Sequence, residues 1–159
     1  MDVDGVLTNG NILLLQDGQM ARNMNIKDGF ALQLAIKKGY QLMVISGASD
    51  DAVARRLEKL GLTEIFLGVT DKATLLAEKI AEKKLTKQQV IFIGDDIPDY
   101  SAMQMVGLPC CPSDASHDIK EIAQYISPYK GGEGCVRDIL EKVLKLNDHW
   151  ELQTSIAAK

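Results

Sequence analysis

Cysteine is scarce and poorly spaced for cross-linking: Cys110, Cys111 and Cys135 leave an odd thiol and form no CxxC. That suits a reducing compartment better than a disulfide scaffold. Sequence neighbours seldom pair with each other, so Cys110 and Cys111 are expected as buried strand residues. No uninterrupted apolar run is long enough to cross a bilayer, which argues against a membrane protein. A dense Lys/Arg block is also missing. With 18 basic against 22 acidic residues and a formal charge of −4, a nucleic-acid partner is not expected. The basic residues in KKGY and AEKK read as solvated helix ends. No basic segment followed by an apolar one marks a secretion signal, and the cytoplasm is the expected compartment. Repeats, low-complexity stretches and linkers are absent as well.

What is present is an ordinary globular composition, 46% hydrophobic and 25% charged over 159 residues. A chain of this length fits one domain spanning residues 1–159 and can bury a self-sufficient core. Short apolar runs at 41–46, 65–68, 90–94 and 108–111 alternate with helical patterns at 29–38, 50–60, 72–84 and 99–106. Such alternation predicts an α/β fold with a parallel sheet flanked by helices, because crossover helices must cover both faces. Residues 11–26 break the rhythm. Two strand-like halves flank Asp17-Gly18, a favoured turn pair, so this segment is expected as a β-hairpin flap. Its content of Ile12, Leu13, Leu14, Leu15, Met20 and Met24 is high for a hairpin standing alone, and either another subunit or its own domain is expected to cover it.

In parallel sheets ligands bind beyond the carboxyl ends of the strands. Collecting what stands there gives Asp2 and Asp4 in DVDG, Ser46-Gly47, Lys72 in VTDK, and Asp95-Asp96 with Asp99 nearby. Converging carboxylates repel one another without a cation, and an all-oxygen set favours a hard ion such as Mg²⁺. A hydroxyl followed by a glycine amide, together with a lysine, supplies donors and positive charge for a phosphoryl group. Asp2 is then the candidate nucleophile of an aspartyl-phosphate pathway. Alternation along an extended segment would place Asp4 on the same side as the candidate acid/base. Each piece alone has an ordinary explanation: DxDG as a turn, Ser-Gly as a helix entry, Asp71 as an N-cap before a solvated Lys72, and GDD as a surface loop. Their order after successive strands is what points to catalysis.

DVDGVLTNG, ISG, DK and IGDDIPD resemble the four signature motifs of the haloacid dehalogenase superfamily phosphatases, over nearly the whole chain. The hairpin after DxDGVLT, NIKDGFAL, GVTDK and the late GGEGCVRDIL are similar to its small capless branch, which acts on phosphates of eight-carbon and nine-carbon 3-deoxy sugar acids. The resemblance implies a Rossmann-like fold without a cap domain, Mg²⁺ dependence, and a homotetramer in which neighbouring subunits cover each site. It implies Asp2 as nucleophile, Asp4 as acid/base and donor of a backbone carbonyl to Mg²⁺, and Asp95 as a further metal carboxylate. Asp96 or Asp99 would hold metal-bound water or orient Lys72. Ser46, Gly47 and Lys72 match phosphate-binding positions. Lys27 and Asp28 match the substrate entrance, Arg56 a basic position on the second helix, and Arg137 with Gly131, Gly132 and Gly134 the bordering C-terminal motif. One departure stands out: the branch usually carries Arg, or in a nine-carbon type Glu, where this chain has Ala48. Another residue, such as Arg55, Arg56 or Lys27, would then read the sugar acid.

The expected activity is Mg²⁺-dependent hydrolysis of a sugar-acid phosphomonoester. A receiver-like phosphoacceptor uses a similar acidic cluster, Ser or Thr, Lys and Mg²⁺, but it lacks a second Asp two residues after the nucleophile; an inactive regulatory module is the other alternative. His117 and His149 have no third ligand near them and read as surface residues. Trp150 and the tail over 147–159 either dock on a neighbour or fray. About five residues of strand are usual before such a first motif. Only Met1 stands there, so the first strand is expected to be shortened.

Overall fold

Val44 and Ile45 are neighbours in one strand and face opposite layers of the molecule. The computed structural model describes residues 1–151. In chain order the elements are β1 (Leu13–Leu14), β2 (Met20–Ala21), α1 (Ile26–Lys37), β3 (Met43–Ile45), α2 (Asp51–Lys59), β4 (Glu64–Phe66) and α3 (Lys72–Glu82). There follow β5 (Ile91–Ile93), α4 (Tyr100–Gln104), β6 (Leu108–Cys111), α5 (His117–Ile122), β7 (Tyr125–Ile126) and α6 (Cys135–Leu146).

β3 pairs in parallel with β4, Val44 opposite Ile65, and β5 pairs in parallel with β6, which pairs in parallel with β7. Two residues join these halves. The Met1 amine donates to Met43 O, Ile45 N–H donates to Met1 O, and Asp2 N–H donates to Ile93 O, each at 3.0 Å. Met1 and Asp2 thus lie between β3 and β5 and carry Asp2 to the sheet's carboxyl edge. Its backbone is held on one side by β5 and its side chain is buried.

Side-chain alternation then sorts the core. Val44, Ile93 and Cys110 face a layer containing Ala31 and Leu32 of α1, Val53 and Leu57 of α2, and Val136 and Ile139 of α6. Ile45, Phe92 and Cys111 face Leu76 of α3, Ala102 and Met103 of α4, and Ile119 of α5. The expected parallel sheet with helices on both faces is what these residues build. Cys110 and Cys111 are the buried strand pair foreseen, and all three thiols are free.

Boundaries shift for local reasons. α1 begins at Ile26 instead of 29, because the Asn25 side chain accepts Lys27 N–H at 2.9 Å and caps the helix earlier. Asp50 caps α2 and Asp71 caps α3. α4 closes at Gln104, with 97–99 forming a single 3₁₀ turn before it. β7, α5 and α6 carried no separate expectation, although Cys135, Val136, Ile139, Leu140 and Leu144 recur at helical spacing and are the buried face of α6.

The hairpin forms around Asp17-Gly18: Leu15 N–H donates to Gln19 O, Gln19 N–H to Asp17 Oδ1, and Gly18 adopts φ +82°. Its own domain leaves it uncovered, with Leu13 63% and Leu14 74% exposed. Trp150 packs edge-on against Phe30 at 6.0 Å on the same chain, while the tail beyond 151 lies outside the described residues. His149 meets Tyr40, its Nδ1 3.1 Å from the phenolic oxygen, and His117 is an exposed partner of Glu121.

Candidate active site

After Asp2 the chain does not continue extended. Val6, Leu7 and Thr8 all donate N–H groups to Val3 O, and Gly5 takes φ +80°, so residues 3–8 curl into a compact turn. The expected extended alternation between Asp2 and Asp4 is therefore replaced by a turn. The Asp2 carboxylate accepts its neighbour's Val3 N–H at 2.7 Å, while Asp4 accepts Thr8 Oγ1–H at 3.1 Å.

Lys72, the first residue of α3, is the buried centre of the charge arrangement. Its ammonium lies 2.6 Å from Asp2 Oδ2 and 2.7 Å from Asp99 Oδ1. It is not the solvated helix residue of the ordinary explanation, although Asp71 does cap the helix by accepting Thr74 N–H. Asp99 Oδ2 accepts Asp95 N–H at 3.0 Å, which fixes the loop after β5. Burial and the charge of Asp99 push the Asp2 carboxyl above its ordinary range, against the pull of Lys72. Burial works against the Lys72 charge, but Asp99 and Asp2 outweigh it and hold its pKa up.

Asp2, Asp95 and Asp99 bring one oxygen each within 4.8 Å of one another. Burial, then repulsion from Asp99, Asp2 and Asp96, pushes Asp95 up to about 7. An all-oxygen set with more negative charge than its one lysine offsets is the donor chemistry of a hard divalent cation, and these residues fit one. Gly5 is required beside them. A Cβ there would stand 1.9 Å from Asp95 Oδ2, so only glycine lets that carboxylate press on the first-motif backbone.

Ser46 and Gly47 follow β3 on the same edge of the sheet. Ser46 is buried, its Oγ accepts Ala48 N–H at 3.3 Å, and Gly47 is exposed. Asp96 is exposed and turns its carbonyl to Asp99 N–H. The C-terminal glycines close against the first motif: Gly132 N–H donates to Val6 O, and a Cβ on Gly131 would fall 1.9 Å from Gly5 O.

Two of the expected substrate contacts share one cavity. Lys27 and Arg137 line a charged cavity of about 500 Å³ with Tyr129, Glu133 and Glu141, and none of the clustered carboxylates lines it. Arg137 pairs with Glu141 at 2.8 Å and stacks over Trp150 and Phe30. Arg56 reaches across to α1, its guanidinium 3.0 Å from where a Cβ on Gly29 would lie. Asp28, expected at a substrate entrance, is buried and accepts Arg137 N–H at 2.6 Å, tying α1 to the start of α6.

Arg22 and Asp50 belong to no sequence motif, yet Arg22 joins Asp50 to Asp4. Arg22 Nε donates to Asp4 Oδ1 at 2.8 Å and its Nη1 to Asp50 Oδ2 at 2.6 Å. The available signal was a lone cation in an otherwise uncharged hairpin strand, MARNMNI.

Fold and site together define a Rossmann-like α/β protein whose acidic centre is built on aspartates at the carboxyl edge of the sheet. The chain belongs to the haloacid dehalogenase-like hydrolases: residues 61–139 match that family. It is 31% identical over 156 residues to a 3-deoxy-D-manno-octulosonate 8-phosphate phosphatase of Yersinia pestis, covering 98% of this chain and 83% of that protein. A crystal structure of the Y. pestis phosphatase superposes with a TM-score of 0.92 over 98% of this chain and 84% of that one. The corresponding phosphatase of Moraxella catarrhalis, solved with a magnesium ion, a phosphate ion and a KDO molecule, is 32% identical with a TM-score of 0.88, over 91% of this chain and 83% of that one. No helix among the described residues is long and apolar enough to cross a membrane.

Proposed function

We propose that this chain is a Mg²⁺-dependent phosphomonoesterase that works through an aspartyl-phosphate on Asp2 and takes a 2-keto-3-deoxy sugar acid phosphate such as KDO 8-phosphate. The carrying observation is the meeting of Asp2, Asp95 and Asp99 around the buried Lys72. The phosphatases named above, similar over most of the chain, support the substrate class.

Asp2, Asp95 and Asp99, with the backbone carbonyl of Asp4, would hold Mg²⁺, which when bound offsets their charge and that of the phosphoryl oxygens. An Asp2 oxygen attacks phosphorus, the bond from phosphorus to the ester oxygen breaks, and Asp4 gives its proton to the departing alkoxide. Asp4, now a carboxylate, takes a proton from water as that water attacks the phosphoryl group. Asp2 is released with inorganic phosphate, and Asp4 is again protonated. Lys72 and the Ser46-Gly47 turn supply positive charge and hydrogen-bond donors to the phosphoryl oxygens. Asp99 orients Lys72, and Asp96 stands at the rim.

Residues 1–159 act as one catalytic domain with the hairpin as its flap, and four copies assemble through their hairpins so that neighbours shield the sites. The uncovered apolar side chains of Leu13, Leu14 and Met20 support that assembly. Lys27, Arg56 and Arg137 remain the candidates for reading the sugar acid in place of a charged residue at Ala48.

A phosphate-release screen with Mg²⁺ over eight-carbon and nine-carbon sugar acid phosphates and small phosphate esters tests this. Turnover of the eight-carbon acid, abolished by Asp2→Asn, is expected. Preference for a nine-carbon acid or a small ester rejects the substrate and keeps the class. Labelling of one phosphate per chain without turnover rejects the enzyme in favour of a phosphoacceptor.

A further inference from the structure

Asp4 Oδ1 receives two hydrogen bonds, from Thr8 Oγ1 at 3.1 Å and from Arg22 Nε at 2.8 Å. Thr8 is fully buried and the Arg22 side chain is only 5% exposed, whereas Asp4 is 29% exposed. Both donors grip the same oxygen. The carboxylate is thereby fixed in one rotamer with its second oxygen turned away from the grip.

Arg22 is itself held from the other side. Asp50 Oδ2 takes its Nη1 at 2.6 Å, while Asp50 Oδ1 caps α2 through Ala52 and Val53 N–H at 2.8 and 3.1 Å. A guanidinium this buried is costly unless its charge is matched, and two carboxylates match it. Arg22 also stands directly after β2, beside the Thr8–Met24 bridge that closes the hairpin base. One side chain thus ties three parts together: the flap, the N-terminus of α2 and Asp4.

We infer that Arg22 is a positioning residue for proton transfer, setting the Asp4 carboxyl against the leaving oxygen and linking its alignment to the seating of the flap. This rests on the acid/base role proposed for Asp4. A residue that only stabilised the fold would affect all substrates alike. A residue that aligns the acid affects most those whose leaving group must be protonated to depart, which means alkyl and not nitrophenyl esters.

The experiment uses the full chain with Mg²⁺ and compares wild type, Arg22→Ala, Arg22→Lys, Asp50→Asn and Asp4→Asn. Readouts are thermal melting, steady-state hydrolysis of an alkyl phosphate, and the rate of phosphoenzyme formation from the alkyl phosphate and from p-nitrophenyl phosphate. For Arg22→Ala we expect alkyl-ester kcat and phosphoenzyme formation to fall roughly 10- to 100-fold with KM changed less than about 3-fold. Phosphoenzyme formation from the nitrophenyl ester is expected to stay within about 3-fold of wild type. Arg22→Lys restores part of the loss, and Asp50→Asn shows a smaller loss of the same kind. Equal losses on both esters, or an unchanged alkyl-ester rate in Arg22→Ala while Asp4→Asn is inactive, overturn the inference and leave the Asp4 role standing. Full alkyl-ester turnover in Asp4→Asn overturns both. If Arg22→Ala does not fold, Arg22→Lys and Asp50→Asn carry the same comparison.

Discussion

Asp99 receives the Lys72 ammonium on one carboxylate oxygen at 2.7 Å and the Asp95 backbone N–H on the other at 3.0 Å. A single buried carboxylate therefore sets both the lysine that meets Asp2 and the loop that carries the next acidic ligand. Lys72→Met would leave Asp2 and Asp99 facing each other without a cation. Thermal and denaturant melts should show a loss of about 3 kcal/mol, the usual scale for breaking a buried ion pair. Turnover should fall about 10²- to 10³-fold. Adding Asp99→Asn should recover part of the stability and none of the turnover, and a stable, active single variant would contradict this.

Gly5 presses on Asp95 so closely that a methyl group cannot enter, and its φ of +80° disfavours any side chain. Gly5→Ala should therefore displace Asp95 and weaken Mg²⁺ binding. Wild type should melt higher on adding Mg²⁺, because a ligand bound only by the folded state stabilises it. Gly5→Ala should show little of that increment, and chelation with EDTA should abolish wild-type turnover.

Asp28 is a buried acid with one oxygen, Oδ2, lacking a hydrogen-bond partner. Burial pushes its pKa up to about 6, against the Arg137 N–H and the charge of Arg137. The folded state thus binds the proton more tightly than the unfolded state, where a carboxyl of this kind titrates near 3.8. The sign follows: the contribution from this group is fully present below about 4 and is lost as pH rises through about 6. Asp28→Asn keeps an acceptor for Arg137 N–H and removes the buried charge. Relative to wild type it should gain up to about 2 kcal/mol at pH 8 and much less at pH 4.5. Denaturant titrations of both proteins at the two values test it, and a pH-independent difference would count against it.

Leu13 and Leu14 pair with Ala21 and Met20 in the hairpin and stand in solvent. If hairpins associate, Leu13→Asp with Leu14→Asp should convert tetramer to monomer by light scattering. Stability of the monomer itself should change little, since neither side chain belongs to its core. A wild-type monomer at micromolar concentration would remove the proposed shielding of the site.

The layered fold was legible because short continuous apolar runs alternate with segments of helical spacing, and packing a parallel sheet leaves few alternatives. Asp2, Lys72, Asp95 and Asp99 were legible because each ends a strand or opens a helix, where a loop delivers side chains to one edge. That Lys27 and Arg137 line one cavity was not legible, since sequence spacing says nothing of which side of α6 faces which loop.

Sequence by itself determined the alternation of strands and helices through β6, Asp2 and Asp95 as members of an acidic cluster, and the apolar hairpin, all of which depend on local pattern. Only tertiary structure decided how Met1 and Asp2 join two sheet halves, how Asp99 and not Asp96 takes Lys72, and that Arg22 holds Asp4 from 18 residues away. Those outcomes follow from the cost of buried charge. A carboxylate or guanidinium removed from water takes the nearest opposite charge that the fold presents, and that neighbour is set by packing across the chain.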